Sequence, residues 1–234
     1  MLDRIGQLRR IEELLGIGLP YLIETWQDPL GIDPTVWTQV LTAGGTITDP
    51  PSLAEEPYHK VILAGAATGD AARLRTVHQW QLAPDTWGTN TFNKLLIAEW
   101  EAKFDGVVDI DQATFFMGLS AIALATRAST NIAGFILDGA GALNSITDDA
   151  IGETAKAVGA PVLTNYHKYT ILAYNAIIEF YVDEVMQARH TTTDGEDLPD
   201  VNAHGQFYIA QNGGGGGSGE LHVATTNIRP GAIL

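Results

Sequence analysis

Two glutamates, Glu99 and Glu101, are the first residues in this sequence whose type and spacing suggest chemistry. They lie in a segment where apolar and polar residues alternate, which predicts a β-strand with both carboxylates on one face, about 7 Å apart. Two carboxylates on either side of a glycosidic bond are the acid and the nucleophile of sugar hydrolysis. A solvated strand face has the same pattern, and this is the interpretation that we prefer for the pair.

Asp109 and Asp111 are a second pair of carboxylates, and carboxylate oxygens are the ligands that Ca²⁺ prefers. No third acid stands beside them, so a plain acidic turn explains the pattern equally well. We therefore predict no cofactor, with a structural calcium ion at this pair as the open alternative.

Other reactive residue types lack the spacing that their chemistry needs. The six histidines show neither H-x-x-x-H nor H-E-x-x-H, the spacings of zinc sites. Ser120 lacks the second glycine of a nucleophile elbow, and Gly213–Gly217 is not followed by the Lys-Ser/Thr of a phosphate loop. We interpret the glycine run as a flexible hairpin tip, and we assign no catalytic, ligand-binding or metal residue from these patterns.

Three tryptophans, Trp80, Trp87 and Trp100, have the side chain that stacks on sugar rings. Aromatic residues on the strands of a sandwich more often belong to the core. Trp100 shares its predicted strand face with Leu96 and Phe104, which favours the core interpretation.

Composition and charge exclude several classes of function. The 234 residues include 13 Lys and Arg against 28 Asp and Glu, a net charge of −15. Such a chain repels phosphate, so we predict no nucleic-acid partner. The apolar run Phe115–Ala125 is far shorter than the roughly 20 residues that cross a bilayer, which predicts no membrane insertion. The absence of cysteine excludes disulfides, and the charged N-terminus lacks the apolar stretch of a signal peptide.

The remaining elements must position any site, and most of the chain reads as short strands between turn residues. An antiparallel β-sandwich or jelly roll is the fold that this pattern predicts. The predicted strands are Lys60–Leu63, Leu74–Gln81, Leu95–Phe104, Thr114–Ser120, Ala133–Leu137, Tyr169–Tyr174, Ile177–Val182, Val185–Thr192, Gln206–Gln211 and Glu220–Ile228. The segment Ser145–Val158 is ambiguous between helix and strand.

Alternation also assigns the two faces of the strand at 95–104. We expect a dry face and a wet face, because an antiparallel sheet can be solvated on one side. The dry face would carry Leu96, Ala98, Trp100, Ala102 and Phe104, and the wet face Ile97, Glu99, Glu101 and Lys103.

Residues 1–20 form the one clearly helical pattern and the first of two predicted domains, the second being the sandwich at 24–234. Leu2, Ile5, Leu8 and Leu15 recur at helical spacing, and Gly16 ends the pattern. A helix of about 14 residues is marginal alone in water, so its apolar stripe must be buried. It either folds back on its own domain or serves as an oligomerisation or docking arm.

The segment Tyr166–Thr192, YHKYTILAYNAIIEFYVDEVMQARHTT, resembles the late hairpins of the concanavalin A-like lectin/glucanase superfamily. The order of the surrounding segments fits the same resemblance, from Glu24–Gly45 through Ala133–Gly139 to the closing strand at Leu221–Pro230. The resemblance implies a concanavalin A-like, all-β jelly roll over about residues 24–230, and the helical pattern at residues 1–20 adds a short N-terminal helix before it. The family has Gly where this chain has Glu184, which predicts a different geometry for that turn.

The resemblance also bears on catalysis. Enzymes of this superfamily that cut β-glucans carry E-x-D-x-x-E on one strand, and the matching segment here, Ala133–Gly141, offers only Asp138. Since one carboxylate cannot serve as both acid and nucleophile, we predict that the chain is not an enzyme.

Two functions follow from the resemblance. The first is a non-catalytic virion protein, a capsid decoration, turret or tail component, because virion proteins of tailed viruses resemble this superfamily. It would assemble in the host cytoplasm, associate with itself and with other virion proteins through residues 1–20, and bind host glycans. The alternative is a microbial carbohydrate-binding or glucanase-like protein.

Overall fold

The computed structural model describes residues 22–24, 32–48, 60–81, 94–105, 113–121, 131–138, 142–174, 176–199, 201–211 and 219–232. These residues form an all-β sandwich of two antiparallel sheets, which confirms the predicted fold class. The N-terminal helical pattern at 1–20 lies outside the described residues. Within the described part, no helix is long and apolar enough to cross a membrane.

Sheet A has seven strands in order and an eighth beside them. The order is β14 (Val185–Thr191), β13 (Ile177–Val182), β12 (His167–Tyr174), β7 (Lys94–Asp105), β16 (Glu220–Ala232), β4 (Lys60–Leu63) and β3 (Thr46–Thr48), with β1 (Leu22–Glu24) paired to β16.

Sheet B is built in the same way. Its order is β11 (Glu153–Ala157), β10 (Ala142–Asp148), β9 (Ile132–Asp138), β8 (Ala113–Ser120), β15 (Asn202–Gln211), β5 (Ala71–Thr76) and β2 (Trp37–Thr42), with β6 (Trp80–Gln81) paired to β15. The ambiguous segment Ser145–Val158 is therefore the hairpin of β10 and β11. The single strand predicted at Leu74–Gln81 is divided between β5 and β6.

Aromatic side chains from both sheets meet in the core between them. Trp100 of sheet A meets Phe207 of sheet B at a ring-centroid distance of 6.3 Å, and Phe104 meets Phe115 at 5.4 Å, both edge to face. Farther along, Phe135 of sheet B contacts Phe180 of sheet A at 5.3 Å. Such contacts add to the free energy gained from burial, and here they fix one sheet against the other.

The inward face of β7 is the one that alternation predicts, since its five apolar residues are all buried in this core. The prediction of a wet outer face is wrong. Ile97, Glu99 and Lys103 point away from sheet B and are nevertheless buried. The structural reason for Glu99 is charge pairing, which is described with the candidate site.

A histidine links the two sheets on their inner side. His190 of β14 is fully buried, with Nε2 2.9 Å from Ser145 Oγ and Nδ1 3.1 Å from Thr147 Oγ1, both on β10. Burial, assisted by the charge of Lys156, lowers the pKa of His190 from 6.5 to about 4. The imidazole is therefore neutral at pH 7, and both of its nitrogens are hydrogen-bonded.

The turn between β13 and β14 has two residues, because Val182 pairs directly with Val185. Asp183 and Glu184 have φ of 50° and 68°, as a type I′ turn requires. Glu184 therefore takes the left-handed conformation that glycine adopts readily, while the difference from the family's turn stays a prediction. The Asp183 carboxylate accepts hydrogen bonds from His167 Nδ1 at 2.6 Å and from the Lys168 amide at 2.9 Å.

Replacing Glu184 by glycine is expected to stabilise the protein. The left-handed conformation costs a side-chain-bearing residue about 1–2 kcal/mol, whereas the lost contact with Lys168 is exposed and contributes little. Chemical denaturation should show a gain of about 1 kcal/mol for Glu184→Gly. Glu184→Ala is the matched control, since it removes the same carboxylate and keeps the Cβ. Equal effects of the two substitutions would show that backbone strain is not the cause.

His190 should make stability depend on pH in a defined window. Its folded pKa of about 4 lies below the unfolded value of 6.5, so the unfolded state binds more protons between these values. Stability is therefore complete above about pH 6.5 and falls as the pH drops towards 4, by about 2 kcal/mol between pH 7 and pH 5. When unfolded with urea, His190→Gln should not show this fall in the free energy of unfolding between pH 7 and pH 5. An unchanged pH dependence in the variant would show that His190 is not its cause.

Candidate functional site

The glutamate pair considered for catalysis lies on the outer face of sheet A. Glu99 is only 4% exposed and is held by Arg229 Nη1 at 2.8 Å and by Lys168 Nζ at 2.9 Å. Burial raises the pKa of its carboxyl, but the hydrogen bonds from Lys168 and Arg229 outweigh it, and the net pKa is lowered. An ionised, ion-paired Glu99 is not suited to donate a proton, and the structure supports neither catalysis nor a solvated face for it.

A second carboxylate on the same outer face is also satisfied. Glu179 of β13 accepts hydrogen bonds from the hydroxyls of Tyr174 and Tyr181, both at 2.8 Å, and Arg189 Nε lies 3.9 Å away. The two buried carboxylates of this face, Glu99 and Glu179, therefore have partners within the chain.

The structure places only some of the remaining residues that the sequence analysis considered. Trp80 and Trp100 are buried in the core, as we predicted, whereas Trp87, Asp109, Asp111 and Gly213–Gly217 lie outside the described residues. Among the residues that the structure describes, no three His, Asp or Glu side chains are grouped to hold a metal ion. Asp138 ends β9, and its side chain lies outside the described part.

The outer face of sheet B carries a different set of side chains. Gln206 of β15 lies in register between Gly118 of β8 and Arg75 of β5. It points outward, because its neighbours Gly205 and Phe207 face the core. Gln206 is 0% exposed, yet neither its Nε2 nor its Oε1 has a hydrogen-bond partner among the described residues. A buried amide without partners is uncommon in proteins and calls for an explanation.

Arg75, the register partner of Gln206, is half-buried, and its buried Nε also lacks a described hydrogen-bond partner. Opposite residues of an antiparallel pair have Cβ atoms about 4.5–5.5 Å apart. The guanidinium of Arg75 and the amide of Gln206 are therefore close enough to contact one ligand group together. We call these two residues the Arg75–Gln206 pair.

Hydrogen bonds next to this pair hold the last residue of β5 against the first residues of β15. His204 Nδ1 donates to the Thr76 carbonyl oxygen at 2.7 Å, and its Nε2 lies 2.8 Å from Gln79 Nε2. Burial lowers the pKa of His204, which keeps the ring neutral. The Thr76 hydroxyl accepts from the Gly205 amide at 2.9 Å. These bonds fix the register that sets Gln206 opposite Arg75.

Two aromatic residues occupy the next row of the same face, where Tyr208 pairs with Phe116 on one side and with Arg73 on the other. The Phe116 ring lies across two facing glycines, since a Cβ on Gly134 would be 2.4 Å from Phe116 Cε2. Burial raises the pKa of Tyr208, although the charge of Arg73 lowers it in part. Both rings are buried, Phe116 at 1% and Tyr208 at 6% exposure, and they belong to an apolar cluster with Ile132, Ile136 and Ile146.

Two carboxylates face outward at the β10–β11 end of sheet B. Asp148 and Glu153 are register partners, and they share the outer face because Thr147 and Thr154 point to the other side. Asp148 is buried and accepts a hydrogen bond from the Ala150 amide at 2.6 Å, whereas Glu153 is exposed.

Sequence reasoning missed all four of these polar residues: Arg75, Gln206, Asp148 and Glu153. The alternation of β15 could have indicated an outward Gln206. No pattern along the chain reveals which residue stands beside it, because that depends on the register between strands.

No protein-family model matches the chain, and no curated protein sequence matches it. Solved structures do. A glycoside hydrolase family 16 endo-glucanase from Bacteroides ovatus matches with a TM-score of 0.61 at 12% identity, over 89% of this chain and 99% of that one. A β-1,3-glucanase from Mycobacterium marinum matches with a TM-score of 0.59 at 12% identity, over 91% of this chain and 100% of that one.

A lectin-like structure also matches. The carbohydrate recognition domain of Emp47p has a TM-score of 0.58 at 11% identity, over 89% of this chain and 93% of that one. At such identities the matches establish the fold, which is the concanavalin A-like jelly roll that the sequence resemblance implies.

The prediction that the chain is not an enzyme is contradicted by these matches, because several of the matched structures are glycoside hydrolases. The prediction was wrong because it counted only the carboxylates of one segment, Ala133–Gly141. Carboxylates on neighbouring strands can share a face, as Asp148 and Glu153 do, so the single carboxylate in Ala133–Gly141 does not decide the matter. The described chain has the fold of these glucanases and of this carbohydrate recognition domain.

Proposed function

We propose that this protein is a glycan-active protein of the glucanase-like type, and that it holds a polysaccharide across the outer face of sheet B. The observation that carries the proposal is the set of polar side chains on that one face: the Arg75–Gln206 pair and the two carboxylates of the β10–β11 hairpin. The fold shared with glucanases and with a carbohydrate recognition domain supports it.

These side-chain types suit sugars in particular. Planar amide and guanidinium groups bond to pairs of sugar hydroxyls. A binding site needs only a few polar groups that are placed precisely and held rigidly. The bonds of His204 to Thr76 and Gln79 provide that rigidity beside Gln206.

Hydrolysis needs two carboxylates near the glycosidic bond. One protonates the leaving oxygen, while the other attacks the anomeric carbon or activates a water molecule. The separations found in glycosidases run from about 5 to 9.5 Å. Asp148 and Glu153 are register partners, whose Cβ atoms lie about 4.5–5.5 Å apart, so their carboxyl groups are able to reach a separation within this range.

The protein should release reducing ends from at least one polysaccharide in a panel that includes neutral β-1,3- and mixed-linkage glucans and acidic β-linked polymers. Glu153→Gln and Asp148→Asn should each lower the rate by about 10²–10⁴-fold, because each removes an acid–base or nucleophilic group. Glu101→Gln on sheet A, a partly exposed residue, is the control and should leave the rate unchanged.

The outcomes separate two versions of the proposal. Binding of a glycan without turnover would assign a lectin-type function and overturn the role of the carboxylates. Neither binding nor turnover across the panel would overturn the proposal as a whole. Circular dichroism of Asp148→Asn must match the parent protein, because Asp148 also caps the Ala150 amide.

Assembly into a virus particle stays a separate prediction, motivated by the amphipathic pattern at residues 1–20. Burying one leucine contributes about 1.5–3 kcal/mol, so a four-residue apolar stripe can hold an interface. Deleting residues 1–20 should leave a folded sandwich that no longer oligomerises or co-purifies with particles. Native mass spectrometry checks this, and an unchanged assembly mass would show that the segment is not the docking arm.

A further inference from the structure

We propose that the Arg75–Gln206 pair recognises the carboxylate of an acidic sugar, so that the glycan bound on sheet B contains uronic acid residues. This inference rests on the proposed function and specifies its substrate class.

The first support is the unsatisfied amide. Gln206 is completely buried, and neither of its amide atoms has a hydrogen-bond partner among the described residues. An apolar side chain of similar shape would avoid the cost of desolvating the amide. A ligand that completes the hydrogen bonds of the amide explains why a glutamine stands at this position. The amide offers one donating nitrogen and one accepting oxygen, and both need partners.

The second support is the local charge. The chain as a whole carries −15, yet the outer face of β2, β5, β15 and β8 carries Arg73 and Arg75 and, within the described residues of these strands, no carboxylate. The other titratable groups near the pair are His78, His204 and Tyr208. Burial and the charge of Arg75 lower the pKa of Arg73, and an anion bound between the two guanidinium groups would offset their repulsion.

The combination of groups selects the ligand. A guanidinium binds a carboxylate through two parallel N–H···O bonds, to which the Gln206 amide nitrogen adds a donor. Gln206 Oε1, however, needs a donor, which a fully deprotonated anion such as sulfate lacks and a sugar hydroxyl supplies. A neutral sugar satisfies the amide and leaves the guanidinium without a counter-charge. A uronic acid has the carboxylate and the hydroxyls on one ring, and it satisfies both residues.

Calorimetry with two matched probes tests the proposal. One is an oligosaccharide containing glucuronic acid, and the other is the same oligosaccharide with its carboxyl groups reduced to primary alcohols. The parent protein should bind the acidic form at least about tenfold more tightly, as expected for a charge-assisted bidentate contact. Arg75→Gln should bring this ratio close to one, and Arg75→Lys should restore only part of it, because an ammonium lacks the planar fork.

Two further variants keep the result interpretable. Gln206→Leu should weaken binding of both probes without loss of thermal stability, since it removes a buried amide that has no partner. Arg189→Gln makes the same change of charge at an exposed position on sheet A, and it should leave the preference unaltered.

Each result decides between distinct conclusions. Equal affinity for the acidic and reduced probes would overturn this inference and leave the proposed function intact, whereas no binding of either probe would count against both. Two outcomes would show that the ligand is attracted to cationic side chains in general, and would overturn the assignment of a carboxylate. One is tighter binding of a sulfated oligosaccharide than of the uronate, and the other is loss of binding in Arg189→Gln as well.

Discussion

The structure depends on the aromatic contacts that join the inner faces of the two sheets. Phe104 contacts Phe115 across the sandwich and Tyr169 within its own sheet, Tyr169 contacts Phe135 of the other sheet, and Phe135 contacts Phe180. Because three of these contacts join one sheet to the other, sliding one sheet against the other would break several edge-to-face contacts at once. The relative position of the two sheets, and with it the register of every outward-facing residue, is set by this packing.

The two outer faces use that scaffold differently. On sheet A the buried carboxylates are matched by cations and hydroxyls of the same chain, so that Glu99 and Glu179 complete the fold. On sheet B a buried amide stands without a partner beside a half-buried guanidinium. Satisfied polar groups stabilise a structure, and unsatisfied ones mark where a second molecule would complete it. The outer face of sheet A also has a buried atom without a described hydrogen-bond partner, Thr170 Oγ1, so sheet B is distinguished by the guanidinium beside its unsatisfied amide.

Alternation along single strands predicted much of the fold. The bounds of β13 and the inward face of β7 agree with the structure, because both depend only on period-two burial. The hairpin at Ser145–Val158 could not be assigned, since small polar residues such as Ser145 and Thr147 face a buried histidine rather than an apolar core. Likewise, the burial of Glu99 and the Arg75–Gln206 pair depend on strands that are distant in sequence, and a single sequence contains no record of that pairing.

The positions of the last two strands bear on how the chain acquires its structure. β15 lies between β8 and β5 in sheet B, and β16 lies between β7 and β4 in sheet A, so each sheet receives a central strand from the end of the described chain. A nascent polypeptide that has not yet reached Asn202 therefore holds two divided half-sheets with unpaired edges. Exposed edges of this kind associate with other chains, and such non-local pairing forms slowly. Synthesis that stalls before these strands emerge would leave a species prone to aggregation and a natural client for chaperones.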